Sequence, residues 1–333
     1  MAALSRLSFC TMALVGAWAY LAPSAAMAVD KLRVATGGFS PSVPAFFTFA
    51  KPQLQKQDIE IEDILMSSGS LSAQALASGQ VKVLLTTGAV VPQFNLSGGD
   101  MVIIAGTINK LPYQIVARGE FKTAASLKGK RVAISRFGSS SEWLVRLWLV
   151  KAGLDPDKDV TIVQTGGQSG RLAALQSNAM QATLLAPPIS TNAVQKLGMN
   201  QLADLADFDV TYPLQSIITT RAYLRENRPL LKRFLRGVAL ALRDYREHTQ
   251  AGIDFQIKQF KVSKEEGEIG YRSSLKVMEP ELKPPDASAL DLALKEIAGR
   301  VEKAKKLTVA ELNLVDDSLR GELLKEGAFK GSR

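Results

Sequence analysis

One cysteine and one histidine stand among 333 residues. So few exclude a disulfide-stapled scaffold and any zinc site built from Cys and His. They also remove the side chains most often paired as nucleophile and base. There is no Walker A loop, no G-x-S-x-G elbow and no metal-ligand cluster. Neither a cofactor nor a metal is therefore expected. His248 is expected to be exposed near the end of a basic helix, and Asp316-Asp317 to be solvated or capping. General acid–base work can still use Glu, Lys or Tyr, which keeps an enzyme open as an alternative. Glycine (25) and proline (14) are too few for a collagen-like or low-complexity tract. Hydrophobic residues make up 46% and charged residues 22%, as in a globular chain long enough for two domains.

The single cysteine belongs to a distinctive N-terminus. Arg6 precedes an apolar run from about Leu7 to Leu21, followed by Ala26-Met27-Ala28. A short apolar run ending in A-x-A reads as a secretory signal peptide cleaved after Ala28. The run is shorter than the ~20 residues a membrane span needs, and no later stretch reaches that length. Cys10 follows Phe9 at the start of the run rather than small residues at its end, which argues against a lipoprotein. An exported, soluble, periplasmic product is expected, with a mature chain free of cysteine. The net charge is +9, of which Arg6 supplies one. Lys and Arg are spread along the chain, and the densest cluster, Lys303 to Lys306, has no interleaved aromatics. Nucleic-acid binding needs such stacking platforms, so no nucleic-acid partner is expected.

Strand and helix signals alternate after residue 29, which predicts an α/β fold. The spacing predicts strands at 32–35, 59–65, 81–85, 101–107 and 114–118, with helices over 43–57 and from Ser67–Ser70 through Ala77. The pattern then restarts. Strands are predicted at 131–134, 160–164 and 182–185, with helices over 139–152 and 172–176. Ala75-Leu76-Ala77-Ser78-Gly79 aligns with Ala174-Leu175-Gln176-Ser177-Asn178. Gly79 and Asn178 both fall where a helix end favours a left-handed residue. Two similar α/β units are the mark of a two-lobed protein. A long amphipathic helix is predicted over Glu226–Thr249, with Leu231, Phe234, Leu235, Val238, Leu242 and Tyr245 on its apolar face. It reads as packing against a lobe. A helical, polar tail follows, broken near Pro280, Pro284 and Pro285.

Small, polar turns follow four of the strands: Gly37–Ser40, Ser67–Ser70, Gly138–Ser141 and Gly166–Ser169. In open α/β sheets ligands bind beyond the carboxyl ends of strands. Glycine lets backbone approach a ligand, and free helix N–H groups can hold anions or oxygens. Each turn could equally be simple capping; Ser139 to Glu142 reads as a capping box whose carboxylate already occupies the helix end. Phe39, Phe46, Tyr113 and Phe137 could wall a pocket or pack a core. Arg136 and Arg171 flank two turns, where either could grip a carboxylate or sulfonate or form a surface ion pair.

The runs GKRVAISRFGSSSEW and GLDPDKDVTIVQTGGQSGRLAALQSNAMQATLLAPP resemble periplasmic solute-binding proteins of nitrate/sulfonate/taurine-type ABC transporters, a family that also includes thiamine-pyrimidine synthase-like proteins. LRVATGGFSPSVPAFFTFAK and TTRAYLRENRPLLKRFLRG extend the likeness over nearly the whole mature chain. The resemblance implies the type II periplasmic-binding-protein fold, two α/β lobes around a ligand cleft. It implies lobe one at 29–117 plus 219–333 and lobe two at 118–218, with hinges near Ala117-Arg118 and Ser216-Ile217. The family's ligand loops fall on Gly38, Phe39, Ser68, Gly69, Ser70, Thr87, Gly88, Gly138, Ser139, Ser140, Gly167, Gln168 and Pro187. The implied partners are a small, anionic or oxygen-rich ligand and a membrane permease, with the protein a monomer. Where members often carry Tyr or Trp, this chain has Ser40-Pro41-Ser42-Val43-Pro44. The cysteine-rich motif and histidine of the synthase-like members are absent, so that activity is not carried over. The alternatives are an enzyme on the same fold or a ligand-sensing subunit.

Overall fold

A computed structural model describes residues 29–37, 46–208, 210–298 and 302–330. The expected contacts at Gly38 and Phe39, and the cleavage point after Ala28, lie outside the described residues. The first part of the chain runs β1 (Asp30–Gly37), α1 (Phe46–Gln55), β2 (Ile59–Met66), α2 (Gly69–Ala77), β3 (Val83–Thr86), α3 (Val90–Leu96) and β4 (Met101–Ile108). The second runs β5 (Gln114–Ala117), β6 (Lys130–Ile134), α4 (Ser140–Lys151), β7 (Val160–Gln164), α5 (Gln168–Gln176), β8 (Ala182–Leu185), α6 (Ile189–Lys196) and β9 (Asn200–Asp204). The chain returns through β10 (Gln215–Thr220), then α7 (Arg221–Glu226), α8 (Arg228–Glu247), α9 (Thr249–Phe260), α10 (Lys264–Val277), α11 (Ala287–Ala298), α12 (Val309–Leu312) and α13 (Ser318–Lys325).

Two five-stranded sheets result, ordered β2-β1-β3-β10-β4 and β7-β6-β8-β5-β9. The orders correspond strand for strand. In each sheet the first three strands are parallel and the fourth is antiparallel to both neighbours. That fourth strand is the one next to a crossing between sheets. The expected hinges therefore need correcting. Strand β5 is hydrogen-bonded to β8 and β9, so the first crossing lies between Ile108 and Gln114, not at Ala117-Arg118. Strand β10 belongs wholly to the first sheet, so the return lies between Asp204 and Gln215.

The outer edge of the first sheet is not left open. Strand β4 is buried along its full length. Ile103 pairs with the segment around Val315, and the Gly106 N–H donates to the Leu282 carbonyl at 3.1 Å. A β-carbon at Gly106 would collide with the Lys283 carbonyl. The C-terminal chain thus covers backbone groups that would otherwise invite pairing with another chain. The long helix predicted at Glu226–Thr249 is α8, two residues shorter at each end, and a separate short helix, α7, ends just before it at Glu226. Pro229 lacks the N–H a continuing helix needs but suits the first turn of a new one. The apolar stripe of α8, with Phe234, Leu235 and Val238 fully buried, packs into the core under the first sheet. Its basic face is tied down: Arg228 and Lys232 pair with Glu322, Arg236 with Glu326, and Arg233 with Asp30. No helix among the described residues is long and apolar enough to cross a membrane.

Candidate functional site

Parallel strands place all their carboxyl ends on one edge, so the turns leading into α2, α4 and α5 converge. Between the sheets they line a chamber of about 190 Å³. Met66 and Ser67 line it from the first sheet's side, Ser140, Gly167, Gln168 and Arg171 from the second, and Phe260 from the end of α9. The first-turn N–H groups of α4 and α5 have no intrahelical carbonyl in front of them and carry the positive ends of the helix dipoles.

Arg171 is the main electrostatic feature of this chamber. It sits in the first turn of α5, four residues before the fully buried Leu175, so its side chain is turned inward rather than to solvent. Only 3% of it is exposed. One Nη donates to the Gly166 carbonyl at 2.8 Å and the other to the Leu184 carbonyl at 2.9 Å, while Nε has no partner. No carboxylate among the described residues pairs with it. Burial pushes its pKa down to about 10, against a smaller opposing influence of Tyr113. A buried charge without a counter-charge is costly. The surface ion pair considered for Arg171 is therefore replaced by a buried guanidinium held by two backbone carbonyls.

The neighbouring serines form a closed cluster. Ser139 Oγ donates to the Arg136 carbonyl at 2.6 Å, Ser135 Oγ donates to Ser139 Oγ, and Ser141 Oγ lies within 2.9 Å of both Ser135 Oγ and Ser139 Oγ. The predicted capping box at Ser139 is absent, because its hydroxyl is drawn into this cluster and makes no cap bond. Glu142 instead accepts from the Gly138 N–H at 2.7 Å and pairs with Arg146 Nε at 2.9 Å. Glu142, Gly138 and Ser139 line a separate 80 Å³ cavity with Trp143 and Tyr212, whose rings stack at 4.4 Å.

The other predicted residues scatter around the chamber. Ser68 caps α2 through Leu71 N, and Ser70 Oγ reaches across to the Phe137 carbonyl at 3.4 Å. Gly69 is buried against Thr86. Thr87 Oγ1 bonds Tyr212 Oη and the Pro213 carbonyl, and Gly88 N donates to that same carbonyl at 2.7 Å. These two hold the return crossing rather than the chamber wall. Pro187, in a cis bond to Pro188, lines a different 590 Å³ cavity beside the two crossings. Tyr113 is a chamber wall, whereas Phe137 is 46% exposed. Sequence reasoning did not single out Ser135, Met66 or Phe260. The spacing of Arg171 to Leu175 was the one available sign that Arg171 faces inward.

A second contact joins the two halves at the rim. Glu266, at the start of α10, accepts from Asn192 Nδ2 at 2.7 Å and pairs with Lys196 Nζ at 3.0 Å, both on α6. Its own helix start adds a Ser263 N–H at 2.7 Å. Burial alone would raise its pKa, but these three donors outweigh it and bring the value down to about 2.

Two α/β halves of matching strand order, with a small chamber between them, define the periplasmic-binding-protein fold. Residues 51–251 match the family model described as NMT1/THI5 like, and the chain belongs to that family. No curated protein matches it by sequence. Several solved structures superpose on it over most of their length. A protein from Bordetella bronchiseptica RB50 does so with a TM-score of 0.76 and 19% identity, covering 89% of this chain and 98% of that one. The alkanesulfonate-binding protein SsuA from Xanthomonas axonopodis pv. citri, bound to MOPS, gives 0.70 and 18%, covering 87% and 99%. The periplasmic nitrate-binding protein NrtA from Synechocystis PCC 6803 gives 0.70 and 16%, covering 90% and 89%. At these identities the likeness is one of fold.

Proposed function

We propose that the chain is the solute-binding component of an ABC-type importer. Residues 1–28 direct it to the periplasm and are removed, and the mature protein works as a monomer. It captures a small anionic or oxygen-rich solute and delivers it to a membrane permease, with no covalent step. Strands β1–β4 and β10 with the C-terminal helices form one lobe, and β5–β9 the other. They close as a hinge motion about segments 109–113 and 208–214. The solute sits in the chamber against Ser140, Gly167, Gln168 and Arg171. Ser68 and Ser70 flank this chamber at the start of α2, and contacts from Gly38 and Phe39 belong to the same proposal.

The carrying observation is the buried Arg171 guanidinium, with no carboxylate partner among the described residues, beside a chamber lined from both halves. A bound anion supplies the counter-charge that the protein lacks there. The family match and the superposed binding proteins point the same way. A thermal-shift panel of sulfonates, nitrate, bicarbonate, carboxylates, aromatic acids and pyrimidines tests the reading. A ligand at about 100 times its Kd stabilises the fold by roughly 2.7 kcal/mol. Capture is refuted if nothing shifts the unfolding and the purified protein, once denatured, releases no small molecule. Turnover beyond one equivalent of protein would mark an enzyme on this fold instead.

A further inference from the structure

The two halves are joined by more than the crossings between their sheets. Helices α9 and α10 form a hairpin whose root is fastened to the first half. Tyr245, fully buried on α8, has its ring 5.1 Å from Phe49 of α1 and 5.1 Å from Tyr271 of α10. Tyr271 Oη lies 3.2 and 3.1 Å from the Tyr245 and Arg246 carbonyls, and Gln256 Nε2 of α9 donates to Tyr245 Oη at 3.0 Å. Just beyond α10, the Glu279 N–H donates to the Thr107 carbonyl of β4 at 2.8 Å. These contacts tie the hairpin to the first lobe.

Its tip rests on the second half. Lys261 takes the left-handed conformation that ends α9, with φ 53°, and turns the chain back towards α10. Phe260, just before this turn, lines the chamber with Leu184 and Ile189. Gly270 comes so close that a β-carbon there would stand 3.0 Å from the Pro188 ring. Glu266 lies on the same helix, and its two oxygens are divided between two tasks. Oε2 accepts from the Ser263 N–H and completes the capping box of α10. Oε1 accepts from Asn192 Nδ2 at 2.7 Å and pairs with Lys196 Nζ at 3.0 Å, both on α6. An amide has one oxygen and could accept on only one side, so the position calls for a carboxylate. By contrast, the contact between the start of α2 and the loop before α4, Ser70 Oγ to the Phe137 carbonyl, is 3.4 Å long and correspondingly weak.

We propose that the α9–α10 hairpin is a strap that holds the two lobes together at the chamber without help from a solute, and that the cleft opens only when Glu266 and Gly270 part from α6 and Pro188. Every contact of the strap is between protein groups, and Glu266 is its positioning residue. This goes beyond the capture reading, and its test needs no ligand.

Small-angle X-ray scattering of the exported protein without added solute, wild type beside Asn192→Ala/Lys196→Ala, tests it. Both substitutions lie on the partly exposed face of α6, where alanine favours the helix, and α10 keeps its capping box. Glu266→Ala is the poorer choice, because it also uncaps α10. The wild type is expected to scatter as the closed form. The double variant, with unchanged helix content by circular dichroism, is expected to shift to a larger radius of gyration and a longer maximum dimension. That shift would show that the strap, and not a solute, keeps the lobes together. No increase in the folded variant overturns the strap, and so does a wild type that is already extended. Either result leaves the thermal-shift panel to decide capture independently.

Discussion

Helices α2 and α5 are the same piece of scaffold in two lobes. Each has nine residues, each follows the edge strand of its sheet, β2 or β7, and their positions differ by 99 throughout. Yet the equivalent side chains do opposite things. Ser72 is buried and donates to the Gly69 carbonyl at 2.7 Å within its own first turn. Its counterpart Arg171 spans to the Gly166 and Leu184 carbonyls and leaves Nε buried without a partner. One lobe offers a neutral, self-satisfied helix start, and the other an unbalanced cation. A duplicated fold can thus hold its backbone constant and put the charge on one side only.

The largest expected effect comes from removing that asymmetry. Arg171→Met should weaken binding of the captured anion about 30-fold to 1,000-fold or more, since truncating one partner of a buried charged pair costs roughly 2–5 kcal/mol. Titration calorimetry reads it directly. The pH profile of the affinity is the next test. The guanidinium of the free protein loses its proton as pH rises through about 10, whereas a bound anion favours the protonated form. Affinity should be flat from pH 6 to about 9 and fall above about 10. The acid side belongs to Glu266. Its folded pKa of about 2 lies below the ordinary 4.5, so its stabilisation of the closed form is complete above about 4.5 and fades as pH falls towards 2.

Glu266→Gln keeps an acceptor for Asn192 but loses the charge that pairs with half-exposed Lys196. With solvent screening allowed for, affinity should drop about fivefold, or about 1 kcal/mol, with the Arg171 anchor untouched. Ser72→Ala is the smallest change. It should cost about 1 kcal/mol of stability in a denaturant melt and leave affinity within about threefold. A larger loss of affinity there would mean that the first lobe also contributes an anchor.

Much of this architecture was legible in the residues. Strands β7 and β8 fall at the predicted 160–164 and 182–185, because apolar runs bounded by glycine or polar turns leave little choice. The duplication seen in Ala75–Gly79 and Ala174–Asn178 reappears as two sheets of matching order. Short elements were less visible: α3, α6 and β9 carry too few residues to establish a period. The site was less legible than the fold for a physical reason. Whether Ser139 caps its helix depends on where Ser135 and Ser141 bring their hydroxyls, and whether Arg171 is solvated depends on a carbonyl of β8. Both are tertiary facts.

Thermal unfolding of the wild type and Arg171→Met side by side, with and without the preferred anion, tests the central claim most directly. Anion capture at Arg171 predicts that the ligand raises the melting temperature of the wild type and leaves that of the folded variant unmoved. Equal stabilisation of both proteins would contradict it.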